Sequence, residues 1–397
     1  MAGDERSALV AGVGMIPFGK PGKSPPYDEM GTAAIRLAIE DAGIGFDLIE
    51  QAYAGFVYGD TSSGQKVIYK AGMTGIPIVN VNNACASGST ALYLARQAVE
   101  SGAAECALAV GFEQMVPGAL GLVFSDRPSP VADFNVICDE LVDGEVPLAP
   151  KFYCGAGKEH MDRYGTTLAD FAKVRAKASR HGARNPLSVF RNVLTEEEVL
   201  ESPPILPGIM TRLMACPPTC GAAAAILVSP DFAKRHGLDP TVRIVAQAMT
   251  TDLPNSFDPP DMINLVGSDM TRRAADAVYE KAGIGPDDIQ VVELHDCFAQ
   301  NEVLTYEALG LCPPGGAQRF IADGDNSYGG KVVTNPSGGL LSKGHPLGAT
   351  GLAQIFELTH QLRGTADRRQ VDNVRYALQH NIGLGGACVV TLYECAR

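Results

Sequence analysis

Two residues that are far apart in the sequence have the types needed for nucleophilic catalysis. Cys85 stands among small residues in NVNNACASGSTAL, at the predicted start of a helix, and His345 stands in SKGHPLGATG before another helical stretch. Unpaired N–H groups at a helix amino terminus favour a thiolate, and a nearby imidazole can accept the thiol proton. The pair predicts a cysteine nucleophile with a histidine base, provided that the fold brings the two together.

An internal repeat gives a reason to expect this contact. AGIG occurs at 42–45 and at 282–285, an offset of 240, and GSTAL at 88–92 is echoed by GATGL at 348–352, an offset of 260. A weaker echo joins GAAAAILV at 221–228 with GACVVTLY at 386–393. The offset of 260 maps Cys85 onto His345, so two halves related by a pseudo-two-fold axis would place both residues at equivalent helix entries. Taken singly, such a cysteine is usually a buried apolar residue and such a histidine a turn residue.

The first copy of the repeat is longer than the second by about 95 residues, which lie roughly between 116 and 212. Within this segment, nine Lys or Arg and three Asp or Glu occur between Lys151 and Arg191, in a chain whose net charge is -13. The local positive charge is compatible with a solvated helical surface or with a docking face for a nucleotide phosphate.

The pattern of elements is that of a layered α/β protein. Short β-branched stretches such as VRIVAQAMT and QVVELHDC alternate with alanine-rich helical stretches, which is typical of α/β layers with largely parallel sheets. We predict two related halves, residues 1–240 and 241–397, with an inserted loop domain at about 116–212 in the first.

The composition argues against several classes of protein. The apolar runs of this 397-residue chain are too short to span a membrane, and its net charge of -13 disfavours nucleic acids and anionic membranes as partners. Ten cysteines without a CxxC pair or a zinc-ligand spacing indicate reduced thiols and no metal site. The start MAGDERSALVAGVG has acids where a secretory signal would have basic and then apolar residues, and the ending YECAR differs from Ser-Lys-Leu. We therefore expect a bacterial cytoplasmic protein rather than a peroxisomal one.

Longer stretches of the sequence resemble the thiolase superfamily, in particular its sterol carrier protein type. They are NNACASGSTAL, AGKEHMDRYG, DLPNSFD, HDCFAQNEVLTYEALGLCP, GDNSYGGKVVTNPSGGLLSKGHPLGATGLAQ and LQHNIGLGGACVVTLY, which together are spread over nearly the whole chain. The resemblance implies a five-layered α/β/α/β/α fold of two similar halves with a loop domain inserted in the first. It also implies coenzyme A as co-substrate, no metal or redox cofactor, and a homodimer or a dimer of dimers.

The resemblance also implies roles for individual residues. Cys85 matches the acylated nucleophile and His345 the histidine of the GHP motif. The backbone N–H groups of Cys85 and Gly383 are expected to hold the oxygen of the tetrahedral intermediate. Contacts to coenzyme A are expected from Ser342, Met161 and Lys158.

Two family motifs differ here from the form found in most thiolases. Their Asn-Glu-Ala-Phe motif reads HDCF at 295–298, and their carboxyl-terminal CxG motif reads NIG at 381–383. This is the sterol carrier protein pattern, which implies that Cys297 does the proton transfer of the second cysteine and that His295 lines the oxyanion hole. A separate departure is TCG at 219–221, where the family usually has Ser-Asp-Gly.

These assignments predict a 3-oxoacyl-CoA thiolase, that is, an acetyl-CoA or propionyl-CoA C-acyltransferase. Cys85, deprotonated by His345, attacks the 3-oxo carbon, and the bond between C2 and C3 breaks. Cys297 protonates the enolate, which His295 and His345 hold as hydrogen-bond donors, and then deprotonates coenzyme A. Substrates with a 2-methyl branch or a sterol side chain fit the resemblance, whereas acyl chain length and direction of reaction are not predicted.

Two other functions remain open at this point. A retro-aldolase that acts on a steroid side-chain CoA thioester with a small partner protein needs no nucleophilic cysteine, so the combination of Cys85, His345 and Cys297 argues against it. A non-catalytic acyl-CoA or lipid-binding protein has no use for three acid–base groups. Decarboxylating condensing enzymes share the fold, but HDCF together with GHP fits a thiolase better.

Overall fold

The computed structural model describes residues 7–118, 123–142 and 146–395. Residues 119–122 and 143–145 of the predicted insertion, and residues 1–6 and 396–397 of the chain ends used to predict location, therefore lie outside the described residues. The described strands are β1 (Leu9–Met15), β2 (Gln51–Gly55), β3 (Ile78–Val81), β4 (Cys106–Glu113), β5 (Pro204–Leu206), β6 (Met210–Thr211), β7 (Gly221–Val228), β8 (Val242–Thr250), β9 (Val291–Glu293), β10 (Val333–Thr334), β11 (Tyr376–Gly383) and β12 (Ala387–Cys395). The described α-helices are α1 (Tyr27–Ala42), α2 (Ser63–Ala71), α3 (Ser87–Ser101), α4 (Ala132–Leu141), α5 (Leu148–Tyr164), α6 (Leu168–Gly182), α7 (Glu196–Glu201), α8 (Pro230–Arg235), α9 (Met262–Leu265), α10 (Ser268–Ala282), α11 (Ala299–Ala308), α12 (Ala317–Ala322), α13 (Gly339–Ser342) and α14 (Thr350–Arg363).

Ten strands form two five-stranded halves with the same internal order. The first half runs β3-β2-β4-β7-β1 and the second β10-β9-β11-β12-β8, and the two join where Leu9 pairs with Arg243. In each half two neighbouring pairs are parallel and two are antiparallel. The expectation of largely parallel sheets is therefore wrong. A connection of three residues, 384–386, joins β11 to β12, and so short a turn can join only antiparallel strands.

The repeated sequence motifs occupy equivalent places in the two halves. The AGIG motifs end α1 and α10, at Gly43 and Gly283, and both glycines have a φ of 68°. The weaker echo, between GAAAAILV and GACVVTLY, falls at β7 and β12. Each of these strands is antiparallel to both of its neighbours. The prediction of two related halves is confirmed. The division predicted after residue 240 falls in the connection between α8 and β8.

The two halves face each other across a central helix layer made of α3 and α14. Both helices contact strands of both halves, whereas α1 and α2 cover the outer side of the first half and α10, with α11 packed against it, covers that of the second. This order gives the predicted five layers. The central helices meet closely because a side chain at Gly351 would lie 2.1 Å from the Ser89 hydroxyl and one at Gly88 would lie 2.5 Å from the Gly348 carbonyl.

The insertion lies between β4 and β7, where the second half has only the turn between β11 and β12. It contains α4 to α7 and the small hairpin β5–β6. Its apolar side chains, Phe152, Phe171 and Met210 among them, pack in one core with Phe298 and Val303 of the second half. An insertion in the first half thus covers the second half, and α5 is held over the HDCF motif.

Most of the basic residues of the insertion have an acidic partner or are buried. The ion pairs are Lys151–Asp139, Lys158–Asp162, Arg163–Glu159, Arg163–Asp261, Lys173–Asp170 and Lys177–Glu302. Arg175 is buried and donates to the Ser342 hydroxyl, whereas Arg180 and Arg191 are exposed. This pairing favours a structural role for the charge over a docking face for phosphate. None of the described helices is long and apolar enough to cross a membrane.

Candidate active site

The four side chains predicted to be catalytic line one cavity of about 300 Å³. They are Cys85, His295, Cys297 and His345. The Cys85 sulfur and one ring nitrogen from each of His295 and His345 lie within 4.8 Å of one another. The two histidine rings are perpendicular, and their centroids are 5.0 Å apart. The rest of the wall is mostly apolar and includes Val57, Leu148, Ala149, Phe298, Leu347 and Leu384. The cavity can therefore hold an apolar group next to a thiol and two imidazoles.

Cys85 lies on a sharp turn between β3 and α3. The preceding Ala84 has a φ of 47°, in the left-handed region that non-glycine residues rarely adopt. The Ser87 hydroxyl stabilises the turn, because it accepts a hydrogen bond from the Asn83 N–H at 2.9 Å and donates one to the Ala84 carbonyl at 2.7 Å. The sequence motif marks the thiol but not this strained residue before it.

Burial controls the protonation of the thiol and the imidazole. Burial, followed by the charge of Glu113, raises the pKa of Cys85 to about 12, although the backbone N–H groups of Cys85 and Leu384 contact the sulfur and lower it. Burial also holds the pKa of His345 well below its usual range, helped by His295 and Lys343. The resting pair is therefore a neutral thiol and a neutral imidazole. Burial thus outweighs the favourable effect of the helix terminus on the thiolate.

The hydrogen bonds of His345 determine which ring nitrogen carries the proton. The Thr350 hydroxyl donates to the Pro346 carbonyl at 3.0 Å, so it accepts from His345 Nδ1, which lies 2.7 Å away. In the neutral ring Nε2 then has a free lone pair, and it is buried without a partner among the described residues. Thr219 accepts the backbone N–H of His345 at 3.1 Å. His345 is thus positioned as a base toward the cavity.

His295 is held by three residues of the second half. Its Nδ1 lies 2.9 Å from the side-chain nitrogen of Asn381, and its backbone N–H donates to His380 Nδ1 at 3.4 Å. The Asn301 side chain donates to its carbonyl. Burial lowers the pKa of His295 to about 3, so this ring is also neutral near pH 7.

Asp296 connects the HDCF motif to the segment that leads to His345. It is fully buried, and its carboxylate accepts the backbone N–H of Leu340 at 2.7 Å and that of Leu341 at 3.4 Å. Asp296 therefore holds α13, which directly precedes the loop with His345, against the loop that carries His295 and Cys297.

Cys297 meets a tyrosine from the insertion. Burial raises the pKa of the Cys297 thiol well above its usual range, nearby Cys216 adds to this, and a hydrogen bond with the Tyr153 hydroxyl acts in the opposite direction. The Tyr153 ring stacks on Phe298, with centroids 4.7 Å apart. Tyr153 was not predicted from the sequence, because it lies three residues before the AGKEH stretch without a motif of its own.

The comparisons with known proteins agree with this geometry. Residues 8–121 match the family description "Thiolase, N-terminal domain" and residues 258–392 match "Thiolase C-terminal domain-like". Sterol carrier protein 2 of Gallus gallus is 52% identical over 98% of this chain and 72% of that protein. The chain belongs to the thiolase family. Within the family it is of the sterol carrier protein type, and it is an acyltransferase enzyme that uses coenzyme A.

More distant relatives match this thiolase over nearly its whole length. The benzoylsuccinyl-CoA thiolase subunit BbsB of Thauera aromatica is 34% identical over 96% of each chain. The structure of human mitochondrial 3-ketoacyl-CoA thiolase superposes with a TM-score of 0.75 at 19% identity, over 98% of this chain and 99% of that one. The Ltp2-ChsH2(DUF35) aldolase superposes with a TM-score of 0.83 at 24% identity, over 98% of both chains. At these identities the two structures establish the fold, and the predicted thiolase fold is confirmed.

The second backbone N–H group of the thiolase site comes from Leu384. Gly383 ends β11, and a side chain there would lie 2.1 Å from the Asn83 carbonyl, so the residue is packed against the turn before Cys85. Leu384 lines the cavity and contacts the Cys85 sulfur through its N–H. The role of Gly383 toward the oxygen of the tetrahedral intermediate stays a prediction, and Leu384 is an additional N–H group at the thiol.

The predicted coenzyme A contacts of this thiolase differ in their exposure. Ser342 is fully buried, its hydroxyl accepts from Arg175 and its carbonyl accepts from Ser188, so it has no surface on which to contact the coenzyme. Lys158 is exposed and paired with Asp162, and Met161 packs partly buried against the core. Both lie on α5, the helix of Tyr153, and their contact with coenzyme A stays a prediction.

Two further cysteines of the thiolase, Cys216 and Cys220, differ in their position relative to the cavity. Cys216 lines the cavity, and its N–H donates to the Cys297 carbonyl at 2.9 Å. No sequence motif marks it as a residue of the cavity. Cys220, at the family departure, is fully buried and donates to the Met115 carbonyl at 3.4 Å. Its side chain is a packing and hydrogen-bonding group outside the cavity wall.

Cys85, His295 and His345 also have the residue types that bind Zn²⁺. They are the one group in the described part of the chain whose spacing would allow three such residues to share a metal ion. Coordination would need a lone pair on each facing atom. His345 Nε2 offers one, Cys85 is protonated, and the state of His295 depends on Asn381.

Proposed function

We propose that this coenzyme A-dependent thiolase cleaves 3-oxoacyl-CoA through an acyl-enzyme on Cys85. The observation that carries the proposal is the convergence on one cavity of a thiol, an imidazole with a free lone pair, a second imidazole and a second thiol. These are the groups that carbon–carbon cleavage next to a thioester needs: a nucleophile, its base, a donor for the enolate oxygen and an acid for its carbon.

In the first half-reaction the Cys85 sulfur attacks the 3-oxo carbon and its proton passes to His345 Nε2. The backbone N–H groups of Cys85 and Leu384 hold the oxygen of the tetrahedral intermediate. The bond between C2 and C3 breaks, its electron pair moves to C2, and the thioester becomes an enolate whose oxygen accepts from His295 and from protonated His345. Cys297 gives its proton to C2 and so releases acetyl-CoA, or propionyl-CoA when C2 carries a methyl group.

In the second half-reaction the Cys297 thiolate accepts the proton of the incoming coenzyme A thiol. The coenzyme A sulfur attacks the Cys85 thioester, and the same two backbone N–H groups hold the oxygen. The bond from the carbonyl carbon to Cys85 breaks, and the departing sulfur takes back the proton from His345. A thiol is suited to the role of Cys297 because its proton affinity is close to that of the coenzyme thiol, so transfer is feasible in both directions.

The cavity wall supports an apolar acyl group, including a 2-methyl-branched chain or a sterol side chain. The wall around the thiols is lined by aliphatic and aromatic residues of the insertion and of both halves. The similarity to sterol carrier protein 2 of Gallus gallus extends over 98% of this chain. A retro-aldolase with a partner protein remains the alternative, and the likeness to the Ltp2-ChsH2(DUF35) aldolase concerns the fold alone.

Intact mass after mixing with acetoacetyl-CoA, without free coenzyme A, tests the proposal. We expect one acetyl group on the unaltered protein and on Cys297→Ala, none on Cys85→Ser, and release of acetyl-CoA from the unaltered protein. A set of longer and 2-methyl-branched 3-oxoacyl-CoAs then defines the acyl group. Absence of an adduct with every substrate would contradict the acyl-enzyme mechanism and would favour aldol chemistry.

A further inference from the structure

We infer that Asn381 and Ser89 are positioning residues that hold His295 with its hydrogen on Nε2, and that they thereby keep the Cys85, His295 and His345 cluster from binding zinc. The inference rests on the proposed function only in giving His295 a donor role toward the enolate. It follows from a chain of buried side-chain amides whose orientations are fixed by backbone carbonyls.

The chain of amides begins at Gln354 in the central helix α14. Its side-chain nitrogen donates to the carbonyls of His380 at 2.9 Å and Glu293 at 3.3 Å. Since a carbonyl can only accept, this end of the amide is the nitrogen, and the oxygen points to Gln379. The side-chain nitrogen of Gln379 in turn donates to the Gly351 carbonyl at 2.7 Å. The orientations of both amides are therefore determined by backbone carbonyls and not by the catalytic side chains.

The orientation passes to the site through Ser89. Its hydroxyl lies 3.0 Å from the Gln379 side-chain nitrogen, from which it can only accept, so its own hydrogen goes to Asn381 Oδ1 at 2.8 Å. This leaves the NH₂ group of Asn381 facing His295 Nδ1 at 2.9 Å. An NH₂ group donates and cannot accept, so Nδ1 has the lone pair and Nε2 carries the hydrogen.

Burial makes this arrangement costly to change. Ser89, Gln379 and Asn381 are fully buried and His295 is 1% exposed. If the amide of Asn381 turned over, its NH₂ group would meet the Ser89 hydroxyl and its oxygen would need a hydrogen on Nδ1. A buried polar group that loses its hydrogen-bond partner destabilises the fold, because water cannot replace the partner. The tautomer of His295 is thus coupled to residues on α3, α14 and β11.

The two active-site histidines are therefore held in opposite tautomers. His345 presents a lone pair at Nε2 and His295 presents a hydrogen. A metal-binding histidine usually donates its second ring hydrogen to a carboxylate or carbonyl, whereas His295 has a donor at that position. The residue types of a zinc site are present, but one of the three lone pairs is replaced by a hydrogen.

The variant Asn381→Asp tests the inference because it retains the shape of the side chain and reverses one hydrogen bond. One carboxylate oxygen still accepts from Ser89, and the other accepts from His295 Nδ1–H, so Nε2 gains a lone pair. At a pH of about 8.5, where the ring is neutral, we expect kcat with acetoacetyl-CoA to fall about 10²- to 10³-fold. KM should change little.

The same variant should gain a metal site, with Co²⁺ as a spectroscopic probe. We expect thiolate-to-Co²⁺ absorption in Asn381→Asp, an affinity at least ~10-fold above that of the unaltered protein, and loss of the signal in Asn381→Asp with Cys85→Ser. An exposed residue outside the cavity wall gives a matched control, Asn192→Asp, which should leave kcat and Co²⁺ affinity unchanged.

Either an unchanged kcat in Asn381→Asp or the absence of the Co²⁺ signal overturns the inference. Ser89→Ala is the second variant should Asn381→Asp fail to fold. It frees the Asn381 amide to turn over, so kcat should fall while KM is retained, and an unchanged kcat contradicts the role of Ser89. The Co²⁺ measurement needs no substrate, so it tests His295 even if no acyl-enzyme forms.

Discussion

The two halves of the molecule share a strand order but differ at two equivalent points. Between its two last strands in sequence, β4 and β7, the first half has the insertion, whereas the second has a three-residue turn between β11 and β12. At the helix entries next to the central layer, the first half has Cys85 and the second His345. The scaffold is nearly symmetric and the chemistry is not, which shows that the repeated unit supplies position while the loops supply reactivity.

Each of the differing connections has a distinct use at the cavity. The insertion brings the apolar wall and the Tyr153 hydroxyl to Cys297. The short turn brings the N–H of Leu384 to the Cys85 sulfur. Four variants test this division of labour between the halves, in order of decreasing effect.

Loss of the first half's thiol should have the largest effect. Cys85→Ser should lower kcat by more than about 10⁴-fold, because a hydroxyl beside a neutral imidazole is a far weaker nucleophile. Steady-state thiolysis of acetoacetyl-CoA measures the loss. Cys395→Ser, at a half-buried thiol outside the cavity wall, is the control and should match the unaltered protein. Substantial activity in Cys85→Ser would mean that the first half does not supply the nucleophile.

Loss of the second half's base should have the next largest effect. His345→Ala should slow acylation of Cys85 about 10²- to 10⁴-fold, as followed by quenched-flow and intact mass. Because the pKa of His345 is held well below 6.5, its basic form persists throughout the neutral range. The acylation rate of the unaltered protein should therefore show no fall between about pH 8 and pH 6 that follows an ordinary histidine. A midpoint near 6.5 would contradict the burial of this ring.

The insertion's contribution can be isolated with Tyr153→Phe. Without the hydroxyl the Cys297 thiolate loses a hydrogen bond, so its pKa rises further and turnover falls about tenfold. Alkylation of Cys297 by iodoacetamide, followed by mass in a Cys85→Ser background, should move to higher pH because only the thiolate reacts. Tyr58→Phe, at another tyrosine of the cavity wall, is the matched control. Equal alkylation profiles for both variants would remove Tyr153 from the proton transfer.

The link between the halves should appear as a small effect on stability. Glu113, at the end of β4, accepts the N–H groups of Val57, Tyr58 and Gly348, the last from the second half. Burial raises its pKa from 4.5 to about 7. Since the folded pKa exceeds the unfolded one, the stabilising contribution is present below pH 4.5 and is lost as pH rises toward 7 and above.

Glu113→Gln should therefore flatten the decline of the urea unfolding midpoint between pH 5 and 7.5. The exposed Glu196→Gln should retain the slope of the unaltered protein. A slope in Glu113→Gln equal to that of the unaltered protein would show that this carboxyl is already ionised when buried.

The features predicted correctly from the sequence are those that a short stretch of residues determines. The glycine motifs at the ends of α1 and α10 and the echo between GSTAL and GATGL define the repeat, and the repeat places Cys85 opposite His345. The direction of β7 and β12 was missed because strand direction depends on connections, which composition does not describe. The contact of the Leu384 N–H with the Cys85 sulfur was missed because it depends on the conformation of the turn after β11.

The long-range hydrogen bonds could not be predicted from sequence. Ser89 and Asn381 are 292 residues apart, and neither residue type is unusual in its own segment. The acids that neutralise the insertion's positive charge include Asp261 and Glu302, far outside it. Such contacts depend on how the completed helices and strands pack against one another.

The joining of both repeats in one polypeptide has a consequence for the origin of the site. Two identical subunits around an exact dyad would carry the same residue at both helix entries, so the centre would hold two thiols or two imidazoles. After gene duplication and fusion, each entry can mutate independently of the other. The covalent connection through β8 thus allows the asymmetry of an acid–base pair, which an ancestral homodimer with this arrangement could not have.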